Sequence, residues 1–273
     1  MGVLNVTPDS FSDGGLYDSY ERAVAHGLDL AAEGADVIDV GGESSRPGAE
    51  PVPLEVELAR VVPVVEALAA APALIGRGVR VSVDTVKPEV AEAALAAGAT
   101  LVNDISASLW PVAASAGAGW VAMHMQGEPR SMQDRPRYDD VVAEVRAFVL
   151  ARAGRARAAG VEEVWVDPGI GFGKTMAHNL SLLRHLGELV QAADEAGCAG
   201  VVVGTSRKRF LGLLAVGQGS GPGRIGTEPA PVAERLEGSL ATAAAAMVAG
   251  VGMVRVHDVA ATVQVARLYR PAA

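Results

Sequence analysis

The chain has 273 residues, which suits one (β/α)8 barrel of about 250 residues better than two ordinary domains. Apolar residues make up 50% and aromatic residues only 4%, so Ala, Val and Leu must build a large core. A formal charge of −9 argues against non-specific nucleic-acid binding and leaves room only for a local anion site. Short apolar runs lie at 3–4, 37–38, 79–83, 101–102, 120–123, 164–166, 201–203 and 253–254. They lead in turn to Asn5, Glu43, Asp84, Asn103 with Asp104, His124, Asp167, Ser206 with Lys208, and Arg255 with His257. Helical patterning predicts helices over 20–33, 54–70, 88–97, 138–159, 177–196, 233–249 and 260–269, with a weak one at 111–118. Gly34, Gly98, Gly160, Gly197 and Gly250 follow five of these as stops. Strands alternating with helices predict an α/β fold: a single-domain parallel (β/α)8 TIM barrel over residues 1–273. In that fold the strand C-termini converge at one mouth, so these polar groups would surround one cavity.

Residues 7–19 and 43–53 follow strands, are rich in Gly, Pro, Ser and Asp, and read as long mouth loops. Residues 217–231 read as a mobile surface loop. Cys198 is the only cysteine, which excludes an intrachain disulfide and fits a reducing cytoplasm. No apolar stretch of about 18 residues is free of breakers or charges, so no membrane span is expected. No basic segment followed by an apolar one opens the chain, so no signal peptide is expected.

Asp84, Asn103 and Asp167 end three strands and together suit a flat heterocycle bearing several N–H groups, although each could alone cap a turn. Ser206, Arg207, Lys208 and Arg209 follow a strand and open a helix. Cations there oppose the helix dipole, so an anion site is favoured, with one cation structural. Arg255 and His257 alternate along the last strand and face the same side; a strand-end pair with Asp258 is the competing reading. Asn5 offers an amide oxygen suited to Mg2+, or simply starts a turn. The segment GIGFGKT at 169–175 fails the ATP phosphate-loop pattern, because Pro168 stands where its first glycine should be. Its glycines suit a tight turn beside a ligand, with Phe172 covering it. His124 is expected to make a structural hydrogen bond.

Taken together, GVLNVTPDSFSDGG (2–15), DVGGESSRPGA (39–49), VSVDTVKPEVA (81–91), LVNDIS (101–106), MHMQGEP (123–129), DPGIGFGKT (167–175), VGTSRKRFLG (203–212) and RVHDV (255–259) resemble the dihydropteroate synthase family in its own order. The resemblance implies displacement of diphosphate from 6-hydroxymethyl-7,8-dihydropterin diphosphate by p-aminobenzoate, giving 7,8-dihydropteroate. It implies pterin contacts at Asp84, Asn103, Asp167 and Lys208, lined by Met123, Phe172 and Gly204. Asn5, Arg255 and His257 would serve the diphosphate and Mg2+ end, with Asn5 as metal ligand. Catalysis would fall to Asp84, Lys208, Arg255 and His257. Ser45, Arg46 and Pro47 would belong to the second mouth loop, and Phe11, Ser206 and Lys208 to the p-aminobenzoate pocket. A homodimer in the cytoplasm is also implied, with no nucleic-acid or membrane partner. Two departures stand out: Ser45 where the family often has Thr, and SASLWP at 106–111 after the fourth strand. The rival readings are a corrinoid methyltransferase using methyltetrahydrofolate and a catalytically silent pterin-binding relative. The first should lack the NVTPDSFSDGG loop and the SRK cluster. The second should have lost Asn5, Asp9, Arg46, Lys208, Arg255 or His257, all of which are present.

Overall fold

The computed structural model describes residues 1–7, 16–44, 50–217 and 228–269, with side chains omitted at 16–19 and 217. Phe11, Ser45, Arg46 and Pro47 lie outside the described residues, as do Asp9 and residues 218–227 of the expected surface loop. Strand and helix alternate from β1 (Gly2–Asn5) and α1 (Leu16–Glu33) through β2 (Val37–Gly41), α2 (Leu54–Ala69) and the short α3 (Pro72–Ile75). There follow β3 (Arg80–Asp84), α4 (Pro88–Ala96), β4 (Leu101–Asp104), α5 (Trp110–Ala116), β5 (Gly119–Met123) and α6 (Val141–Ala158). The last part comprises β6 (Val164–Asp167), α7 (Met176–Arg184), α8 (Leu186–Glu195), β7 (Gly200–Val203), α9 (Arg209–Gly217), α10 (Leu236–Val248), β8 (Met253–Val254) and α11 (Val259–Tyr269).

The eight strands form one sheet in chain order, and every paired register is parallel. A parallel bridge between Gly2 and Val256 joins the last strand to the first. Val3 N–H donates to the Val256 carbonyl at 2.9 Å and Val256 N–H to the Met1 carbonyl at 3.0 Å, so the barrel closes. The fold is thus the predicted single-domain (β/α)8 barrel. Side chains alternate across the pleat. Leu4, Ile38, Val40, Val83, Val102, Trp120, Val164 and Val201 point outward into the main core shared with the helices. Met1, Val37, Leu101, Val121 and Val202, with Trp165 and Met253, form a second cluster inside the barrel. At the strand N-termini Arg80 holds Glu163 through two hydrogen bonds, at 2.7 and 2.8 Å, and Trp165 Nε1 donates to the same carboxylate at 2.8 Å.

Several element boundaries differ from expectation, each for a local reason. The helix expected from 138 starts at Val141, because Asp140 caps it by accepting from Val142 and Ala143 N–H, both at 3.0 Å. The helix expected over 177–196 is two, broken where His185 leaves helical geometry (φ −109°, ψ 18°). The helix expected from 233 begins with a 3-10 turn, Val232–Glu234, and continues as α10. The first mouth loop is shorter than 7–19, because α1 already starts at Leu16. Helix α3 was not expected, and of α9 only the start at the cation cluster was.

Candidate functional site

The inner cluster provides a ruler for the mouth. Two residues beyond Val37, Leu101, Val121, Trp165, Val202 and Met253 stand Asp39, Asn103, Met123, Asp167, Gly204 and Arg255. Period-two alternation therefore gives them the same inward side. Asp84 joins this layer through its register with Asn103, and Asn5 pairs in register with Gly41, itself the neighbour of Asp84. Apolar layer below and polar layer above follow from one sequence pattern: inward positions turn polar toward the C-terminus of every strand except β5 and β7, where Met123 and Gly204 stand.

Asp39 is the centre of this layer and was not anticipated. It is fully buried, and its Oδ2 accepts from Arg255 Nε at 2.6 Å and from Asn103 Nδ2 at 2.9 Å. Arg255 Nη2 donates to Asp84 Oδ2 at 2.6 Å. One guanidinium thus spans two carboxylates, and the anticipated group of Asp84, Asn103 and Arg255 is one network held together by Asp39. Burial, reinforced by the carboxylates of Asp39, Glu57 and Asp104, pushes Asp84 up to about 7 although Arg255 opposes the shift. Burial works against the Arg255 charge too, but Asp39 and Asp84 outweigh it and hold the guanidinium above its ordinary range.

Asp167 and Lys208 form the second half. Asp167 Oδ1 accepts from Gly169 N–H at 2.7 Å, and burial raises its carboxyl despite Lys208 and that hydrogen bond. Lys208 Nζ donates to the Ile170 carbonyl and lies 4.7 Å from the centre of the Phe172 ring. Burial lowers its ammonium to about 8, with Asp167 opposing. The β6–α7 loop that carries Ile170 and Phe172 lies against the loop after β5. A Cβ on Gly169 (φ 64°) would overlap the His124 carbonyl oxygen, and one on Gly173 (φ 61°) the Gln126 carbonyl oxygen. Beneath it Lys174, 2% exposed, is hydrogen-bonded to His124 Nδ1 at 2.9 Å and donates to the Phe172 carbonyl at 3.0 Å. Burial first, then the nearby Lys208 charge, lowers Lys174 to about 7 against the pull of Asp167; burial and Lys174 push His124 down to about 3. His124 is therefore a structural acceptor, as expected, and Lys174 is a further buried group that the sequence did not reveal.

At the barrel seam Ser206 Oγ accepts from His257 N–H at 3.1 Å and lies 3.0 Å from His257 Nδ1. Arg207 is the structural cation of the cluster: Nε and Nη2 donate to Asp258 at 3.0 and 2.5 Å. Asp258 is thereby paired with Arg207, and Arg255 turns instead to Asp39 and Asp84. Asp104 has the opposite parity from Asn103 and leaves the mouth. Its carboxylate accepts from Ser106, Ser108 and Leu109 N–H at 2.6–2.8 Å, so SASLWP at 106–111 is wound around a capped turn with Ala107 at φ 50°.

The fold agrees with that of known proteins. A family model described as pterin binding enzyme matches residues 1–257. The dihydropteroate synthase of Escherichia coli (strain K12) is 45% identical over 275 residues, covering 98% of this chain and 89% of the relative. Dihydropteroate synthase from Xanthomonas albilineans with 4-aminobenzoic acid superposes with a TM-score of 0.84 at 46% identity, covering 98% of this chain and 90% of that one. The same enzyme with 7,8-dihydropteroate gives a TM-score of 0.80 at 44% identity, covering 98% and 91%. With a matching family model, a matching barrel and near-complete coverage on both sides, the chain belongs to the dihydropteroate synthase family of pterin-binding enzymes.

Proposed function

We propose that the protein condenses p-aminobenzoate with 6-hydroxymethyl-7,8-dihydropterin diphosphate, releasing diphosphate and 7,8-dihydropteroate. The observation that carries this reading is the mouth layer, in which the carboxylates of Asp39, Asp84 and Asp167, the Asn103 amide and the Arg255 guanidinium stand at strand ends, with the Lys208 ammonium beside them. Relatives solved with 4-aminobenzoic acid and with 7,8-dihydropteroate support the choice of substrates.

In this reading Asp167, Asn103 and Lys208 hold the pterin edge, and Met123, Phe172 and Gly204 flank the ring. Asp84 stabilises positive charge that grows on the pterin as its methylene–oxygen bond breaks. Arg255 and His257 take the negative charge of the departing diphosphate, so most of the barrier reduction is electrostatic. The arylamine nitrogen forms the new bond to the methylene carbon and then loses a proton; it is already a competent nucleophile, and no covalent enzyme intermediate is needed. Ser206 with Lys208 serves the amine side, together with Phe11, Ser45, Arg46 and Pro47. A positional-isotope experiment tests the dissociative character: scrambling of the bridging oxygen in unreacted substrate is expected, and its absence under reversible conditions points to a concerted displacement.

Mg2+ belongs to the same proposal. Among the described residues no three His, Cys, Asp or Glu side chains group as a metal site. Mg2+ commonly takes one or two protein oxygens and fills its shell from phosphates and water. The Asn5 amide at the end of β1 fits that pattern, with the diphosphate supplying further oxygens; the ion would add charge neutralisation at the leaving group. Chelation with EDTA should abolish turnover, and added Mg2+ should restore it.

The proposal extends to a cytoplasmic homodimer. Val248, Leu268 and Tyr269 on the adjoining helices α10 and α11 are 70%, 79% and 47% exposed and offer apolar area for a second copy. Sedimentation should give twice the chain mass. Among the described residues no helix is long and apolar enough to cross a membrane.

The deciding experiment is diphosphate release from purified protein given Mg2+ and the pterin diphosphate, with and without p-aminobenzoate. Amine-dependent release with stoichiometric dihydropteroate is expected. Pterin binding without release would overturn the synthase reading in favour of a silent relative.

A further inference from the structure

Residues 205–208, just beyond β7, divide by parity. Thr205 and Arg207 are tied to α10 and to Arg235, which precedes it. Thr205 Oγ1 lies 2.7 Å from Thr242 Oγ1. Arg207 N–H donates to Ser239 Oγ at 3.0 Å, and the Arg207 carbonyl accepts from Arg235 Nη1 at 2.9 Å. Ser206 and Lys208 turn the other way, to His257 and to the Ile170 carbonyl. The segment is a tight turn, because Lys208 N–H donates to the Thr205 carbonyl at 3.1 Å. Its third residue, Arg207, has φ 60°. Glycine or asparagine usually fills such a position, and a long side chain there is strained.

A turn needed only to close the barrel could use glycine without strain. Nor does the ion pair explain the arginine through stability. Arg207 and Asp258 are 40% and 24% exposed, and an ion pair this wet contributes little. What the guanidinium adds is a second tie between the ends of β7 and β8. Ser206 and Arg207 are chain neighbours, as are His257 and Asp258. Ser206 meets His257 at the mouth, through both the imidazole and the backbone N–H. Arg207 meets Asp258 behind it through two hydrogen bonds. Two adjacent ties fix the offset between the strand ends, and with it the orientation of the imidazole.

We infer that Arg207 is a positioning residue for the departure of diphosphate: paired with Asp258, it holds the turn that sets Ser206 against the His257 imidazole. The inference rests on the function proposed above, in which His257 takes charge from the leaving diphosphate. Misplacing such a group by about 1 Å can cost on the order of 100-fold in rate. The pterin ring is held by Asn103 and Asp167, which this pair does not touch.

The test is a cycle of Arg207→Gly, Asp258→Ala and the double variant in the full chain. Diphosphate release is followed as each substrate is varied, and the ring-nitrogen shifts of the chain's five histidines are followed by NMR. Arg207→Gly suits the left-handed backbone and keeps both backbone hydrogen bonds, so it removes the guanidinium alone. Each single variant should lower the saturated kcat tenfold or more and leave KM for the pterin diphosphate within threefold. The double variant should be no worse than the poorer single within twofold. The His257 shifts should move while those of His124 stay in place, a change that a loss of stability alone does not produce. A kcat within twofold of wild type overturns the inference. So do losses that multiply in the double variant, and so does a lowered kcat with unmoved His257 shifts. Should Arg207→Gly fail to fold, Arg207→Lys, which cannot span both carboxylate oxygens, is judged by the same readouts; Asp258→Asn likewise stands in for Asp258→Ala. The wild-type assay separates the two ideas. No amine-dependent release from wild type defeats the function itself, whereas an active wild type with unaltered variants defeats only the positioning role.

Discussion

Lys208 and Asp39 are both buried at the mouth, one as a cation beside Asp167 and the other as a carboxylate holding Arg255 and Asn103. Burial brings Lys208 to about 8, so its charge is half lost near that pH. If the ammonium is needed for the pterin diphosphate, kcat/KM should fall about tenfold per pH unit above about 8. In Lys208→Arg the guanidinium stays charged, so the alkaline limb near 8 should vanish at a lower overall rate; persistence of the limb would assign it to another group. Asp39 supplies one oxygen to two donors. Asp39→Asn removes the charge facing Arg255, although Asp84 remains. We expect a loss of about 3 kcal/mol in urea denaturation, the low end for breaking a buried pair. A loss under 1 kcal/mol would mean that Asp84 suffices. Asp39 escaped notice because the second run was read as 37–38 with Glu43 as its polar group, whereas the strand continues through Asp39 to Gly41. The readable signal was parity: an acid two residues beyond an inward valine faces the mouth. Glu57 was hidden differently, in an alternation of acids and aliphatics that reads as the wet side of α2.

At the level of elements, the β6–α7 loop does most to build the site. Gly173 holds φ 61° against the Gln126 carbonyl, and Tyr138 Oη donates to the Gly173 carbonyl at 2.8 Å. This explains why GIGFGKT looks like a phosphate loop without being one: its glycines allow contact with a neighbouring backbone. Gly173→Ala should cost about 1–3 kcal/mol, the usual range for overpacking. It should also raise KM for the pterin diphosphate by displacing Phe172 and the Ile170 carbonyl that holds Lys208. Unchanged thermal stability with unchanged KM would show that the two loops can part freely. Helices with a clear stop were legible; α1 ends where Gly34 takes φ 107°. The break between α7 and α8 was not, because the apolar periodicity runs through His185 and only the backbone there departs from helix. The start of α9 was legible at the cation cluster, but its extent was not, because the apolar residues Phe210, Leu211 and Leu214 make only a short run before Gly217.

The molecule as a whole was legible because a closed parallel barrel demands buried strands, and most strands here turn polar on their inner side near the mouth. What stayed hidden is the layer between, where charges are buried among strands and loops. Its clearest member is Lys174, held by His124 and the Phe172 carbonyl and lowered by burial to about 7. An unfolded lysine binds its proton up to about 10.4. Below pH 7 both states are protonated and the cost of burying the charge is fully present. Between about 7 and 10.4 the unfolded state binds more protons than the folded one, so this residue makes stability rise with pH, by up to about 1.4 kcal/mol per unit. Above that range both states are neutral and the contribution is flat. Lys174→Met keeps the length and removes the titration. The difference in unfolding free energy between wild type and variant should therefore shift in favour of wild type as pH goes from 7 to 10, whatever other groups common to both contribute. A difference that stays constant across that interval would mean that Lys174 keeps its charge in the folded barrel, stabilised there by Asp167 more strongly than its burial suggests.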